Sequence, residues 1–169
     1  FIFASLTTTL YMYVMRTHSS LLFTSLVYAG ITIMAGFLVK SIVSSQDLFF
    51  LSMTLTNFLL LLSRKRITQW VNHALFTEHF NLYLQANLVL VSLFTLFVYE
   101  SRTINGISIL LSSVLYLLVS QYQNRKEYYY IFPILLIYGV YQTLNHISHE
   151  ATILLLGALG SVFAALIYY

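Results

Sequence analysis

The sequence predicts an all-α, polytopic helical membrane bundle: six to seven transmembrane helices and one short interfacial amphipathic helix. Three observations carry that expectation. Of 169 residues, 59% are hydrophobic and only 8% charged, whereas a soluble domain needs about 25% charged residues for a wetted exterior. The apolar residues fall into seven runs, at about 1–15, 21–39, 48–62, 80–99, 104–122, 128–145 and 151–169. The gaps between them alternate in charge, with Arg16 in the first, Arg64-Lys65-Arg66 in the third and Arg125-Lys126 in the fifth. The intervening gaps hold only Lys40 and Arg102. That is the positive-inside pattern.

The runs lack the period-2 alternation of barrel strands, and a helix satisfies its own backbone in a lipid interior, so each run is expected to be helical. The first, with Thr7, Thr8 and Thr9, is short for a crossing, which takes about 20 apolar residues. The second ends at Lys40, whose long stem can snorkel to the interface. The third, also short, carries Thr54, Thr56 and Asn57, and the fourth carries Gln85 and Asn87. Tyr128-Tyr129-Tyr130 opens the sixth, where amphipathic rings anchor a helix at the boundary. Pro133 follows, in the first turn or at a kink. In the seventh, Gly157/Ser161 and Gly160/Ala164 set small residues four apart, a spacing that favours close helix packing.

The third gap has structure of its own. After Arg64, Lys65 and Arg66, the apolar Ile67, Trp70, Val71, Ala74 and Leu75 recur at helical spacing, with Thr68, Gln69, Asn72 and His73 on the other face. This predicts a short amphipathic helix lying in the headgroup region.

Putting the basic gaps inside makes loops 16–20, 63–79 and 123–127 cytoplasmic, in a plasma or cytoplasmic membrane. Asp47, Glu100 and Glu150 then fall outside, and the N-terminal end is external. The first residue is Phe1 and the last apolar run ends at Tyr168-Tyr169. The chain therefore reads as a single transmembrane domain, 1–169, cut from a longer polytopic protein. Leu26-Val27-Tyr28-Ala29 and Leu136-Ile137-Tyr138-Gly139 hint at a parallel repeat of three-helix units.

Candidates for chemistry are few. No acid lies at the centre of a run, although buried ionisable groups are the usual material of proton relays and ion sites. Thr54, Asn57, Gln85 and Asn87 are candidates for a neutral polar path or for interhelical contacts. His146, His149 and Glu150 are the one cluster with metal-ligand character. The absence of Cys removes thiolate ligands and nucleophiles. No phosphate-binding glycine loop, nucleophile elbow or zincin motif occurs, so no cofactor is expected. The expected partners are the lipid bilayer and other helices of the parent chain or an oligomer. Nucleic acid is not among them, the basic triplet being short and explained by topology. The expected function is a non-catalytic bundle serving as anchor, scaffold or sensory, signal-receiving region. The alternatives are part of a small-solute transporter and, behind it, a membrane enzyme with an outer-face His/Glu site.

Overall fold

The computed structural model describes residues 1–18, 20–123, 127–144, 153, 155–157 and 159–160. Six long helices occur among them: α1 (Ile2–Thr17), α2 (Leu21–Ile42), α3 (Gln46–Val71), α4 (Ala74–Phe97), α5 (Arg102–Gln123) and α6 (Glu127–Thr143). The Thr and Ser residues within them do not break them, because their hydroxyls donate to carbonyls one turn back, as Thr8 does to Ala4 (2.7 Å) and Thr54 to Phe50 (2.9 Å).

Among the described residues, four helices are long and apolar enough to cross a membrane: α2, α3, α4 and α5 up to Tyr122. Six to seven were expected from the sequence. With 16 and 17 residues, α1 and α6 reach about 24–26 Å at ~1.5 Å per residue, against a hydrocarbon core of about 30 Å. Pro133 lies inside α6, beyond its first turn. The seventh run falls mostly outside the described residues.

The basic third gap is where the structure departs furthest from the sequence reading. No separate interfacial helix forms there. Arg64, Lys65, Arg66 and Trp70 belong to the last turns of α3, and the stretch expected as loop 63–79 is helical except at Asn72 and His73. Lys and Arg are good helix formers, so charge marks the end of the apolar surface without ending the helix. The turn is set by backbone chemistry instead. Asn72 takes the left-handed conformation at φ 46°, which Asn tolerates better than most residues. His73 then caps α4, its Nδ1 accepting from the Phe76 N–H at 3.4 Å. The apolar stripe is split accordingly: Val71 is buried while Trp70 is 71% exposed.

The helices pack in series. Helix α1 lies on α2, α2 touches α3 and α4, and α3, α4 and α5 pack mutually, with α6 against α5. Side chains reveal the directions. Tyr28, early in α2, meets Phe76, early in α4, and Asp47, early in α3, meets the joint between α4 and α5. The bundle thus runs up and down, and the ends carrying Arg16 and the basic triplet lie together. The core combines Val27, Leu61, Phe76, Phe80, Leu88 and Ile109. Around it Thr24, Thr95, Ser108, Ser112, Ser113 and Ser120 are fully buried, whereas Leu59, Leu62, Leu82, Phe97 and Ile134 stand exposed. Small polar groups inside and large apolar ones outside suit a lipid solvent and point to a membrane location.

Candidate functional site

The residues singled out from sequence as a polar path do not share one chamber. Asn57 on α3 and Asn87 on α4 are both buried, and the Asn87 Nδ2 donates to Asn57 Oδ1 at 2.6 Å. Thr54, one turn before Asn57, donates within its own helix. Gln85 turns to another partner, its Oε1 accepting from the Tyr128 hydroxyl of α6 at 2.8 Å. Tyr128 in turn rests against Tyr116 of α5, ring centres 5.4 Å apart. The void touching Asn57 has a volume of only about 10 Å³ and is otherwise lined by Leu61, Leu84, Leu88, Leu115 and Val119. That is roughly one water probe in an apolar shell, with too few polar partners to hold a water firmly.

The Asn57–Asn87 bond is testable by a double-mutant cycle. With Asn57→Leu, Asn87→Leu and the pair, SDS-driven unfolding in mixed micelles is expected to give a coupling of about 0.6 kcal/mol, and under ~1.7. Additive single effects would mean that the two amides do not interact.

A larger cavity opens between α2 and α4, a groove of about 610 Å³. Its floor is aromatic. Tyr28 and Tyr83 stack at 4.5 Å and 7°, and Phe76 and Phe80 pack beside Tyr28. The Tyr28 hydroxyl donates to the Phe76 carbonyl oxygen, while the Tyr83 hydroxyl pairs with Thr32 at 3.0 Å. Thr24 and Ser25 donate to carbonyls of their own helix. The groove therefore presents hydroxyls whose protons are already engaged. His79 also lines it, its Nδ1 lying 2.9 Å from the Leu75 carbonyl oxygen. Such a surface can hold an apolar molecule.

Arg64 and Lys65 border a separate cleft at the basic end, and Arg66 is exposed beside them. His146, His149 and Glu150 lie outside the described residues. Among the described residues no group of three His, Asp or Glu could hold a metal ion.

Two features of weight were missed in the sequence. Asp47, expected in an outer gap, is 2% exposed. Its carboxylate accepts from the Glu100 N–H, at 3.0 and 3.2 Å to the two oxygens, and from the Ser101 N–H. It joins the first turn of α3 to the start of α5. The other is the face of α5 made by Asn105, Gly106, Ser108, Ser112, Ser113 and Ser120, buried throughout. Its signal was legible as small residues at helical spacing. Close helix approach occurs there, at Gly106 and Gly139, and at Gly30 on α2. Among the described residues nothing lies within 4 Å of a Cβ placed on Gly157 or Gly160, where it was expected. Comparison with known protein families, curated proteins and solved structures gives no match for this chain.

Proposed function

We propose that this chain is a polytopic membrane domain acting as a non-catalytic scaffold or signal-receiving bundle, with its basic end in the cytoplasm. The observation that carries the reading is that amides on facing helices bond across the bundle. Asn57 with Asn87, and Gln85 with Tyr128, tie helices together, as polar groups in hydrocarbon do when they serve packing. The clustering of Arg16 and Arg64–Arg66 at one end supports the orientation. A transporter reading draws on the α2–α4 groove, which Asn87 also lines.

Because the chain contains no Cys, single-cysteine variants separate these readings. Ser44→Cys is expected to react with an impermeant maleimide on intact cells, and Gln69→Cys only in inside-out vesicles. Asn57→Cys should stay unlabelled from both sides. Reversed labelling of residues 44 and 69 would overturn the orientation, and labelling at position 57 would replace the scaffold by a solute path.

A further inference from the structure

At the basic end, α3, α4 and α5 enclose a cleft of about 440 Å³, within the ~300–1,000 Å³ typical of small-ligand sites. Its character changes along the helix axis. Leu61, Leu62 and Leu118 line the deeper part, while Arg64, Lys65 and Thr68 of α3, with Thr77 of α4, line the outer part. No acid is among the lining residues. Thr68 donates to the Arg64 and Lys65 carbonyls (3.0 and 3.1 Å) and Thr77 to the His73 carbonyl (3.1 Å). The donors left for a ligand are thus the guanidinium, the ammonium and the hydroxyl of Tyr122 on α5, which also lines the cleft, and neither basic side chain has a hydrogen-bond or ion-pair partner among the described residues.

We propose that this cleft binds the headgroup of an anionic phospholipid, its phosphodiester held between Arg64 and Lys65 and an acyl chain laid along Leu61, Leu62 and Leu118. The inference rests on the membrane reading above. Cations matched to an apolar floor suit a molecule that is anionic at one end and hydrocarbon at the other, and basic pockets between transmembrane helices take such headgroups. A soluble anion would leave the leucines uncovered. The topology rule explains the charges but not the cleft, since it asks only for their number; Arg66 contributes equally to that number and does not line the cleft.

The test uses the full chain in nanodiscs of phosphatidylcholine doped with increasing phosphatidylglycerol, counting retained lipid by native mass spectrometry. One phosphatidylglycerol per chain is expected to saturate the site. Arg64→Gln and Lys65→Gln should each weaken retention about fivefold and together about twenty-five-fold, whereas Arg66→Gln should change it by less than about twofold. Unfolding in pure phosphatidylcholine discs checks each fold; if the double variant unfolds, Lys65→Gln alone, on an exposed side chain, decides. Equal retention of both lipids, or an Arg66→Gln loss as large as the others, would overturn the site in favour of diffuse attraction. Displacement by millimolar inorganic phosphate would overturn the lipid and assign a soluble anion. A chain that fails to enter discs at all would count against the membrane reading instead.

Discussion

Replacing Asp47 with alanine is expected to lower the stability of the bundle by about 3 kcal/mol. Two backbone N–H groups, of Glu100 and Ser101, depend on its carboxylate. Hydrogen bonds to a charged group are worth about 1.5–3 kcal/mol each, and a donor stripped of its acceptor keeps its desolvation cost. Position adds to this. Asp47 is in the first turn of α3 and beside the residues that open α5, so one negative charge faces two helix N-termini, worth about 0.3–1 kcal/mol apiece. Asp47→Asn keeps an acceptor and loses the charge, so it should recover about half of the loss. Unfolding in SDS mixed micelles measures both variants. An alanine variant within about 0.5 kcal/mol of the parent, the range of an ordinary surface substitution, would mean that the α3–α5 joint is held by something else.

The second large effect is expected at Gly106, where α5 lies against the backbone of α6. A Cβ there would lie 2.7 Å from the Thr143 backbone nitrogen and 2.9 Å from the Gly139 carbonyl oxygen. These are backbone atoms, which cannot rotate away, so α6 must shift as a body. Overpacking of this sort costs about 1–3 kcal/mol, while alanine for glycine inside a helix returns up to ~1 kcal/mol. Gly106→Ala should therefore destabilise by about 1–2 kcal/mol net, and Gly106→Leu should separate the two helices. Gly36 supplies the matched control, because the nearest atom to its added Cβ is Phe49 Cζ at 4.0 Å. With propensity acting alone, Gly36→Ala should stabilise by about 0.5–1 kcal/mol. If both alanines stabilise alike, the α5–α6 contact has room for a methyl group at Gly106.

These two sites mark the limit of what could be read from the chain. Apolar runs located the helices because hydrocarbon demands them, and that demand is local to each segment. Asp47 read as an acid of an outer gap since its partners lie 53 and 54 residues away, and charge alone carries no record of which amides surround it. Arg64-Lys65-Arg66 read as the entry to a separate interfacial helix, whereas α3 runs on through them to Val71 and ends at Asn72 with its left-handed backbone. Asn57, Gln85 and Asn87 were legible as amides in need of partners. Which partner each found was not: Asn57 and Asn87 met one another, and Gln85 met a tyrosine of α6.

By itself, then, the sequence determined the helical class, the apolar character of the surface and the grouping of cations in alternate gaps. Each depends on what a segment's own residues require of their solvent. Only the tertiary structure decided that α3 continues through its basic triplet, that Asp47 locks two helix starts, and that Gly106 and Gly139 let α5 and α6 approach closely. It also turned Arg64 and Lys65 into the rim of a cleft. Those outcomes depend on which faces meet, and a helix face acquires its meaning from the neighbour packed against it.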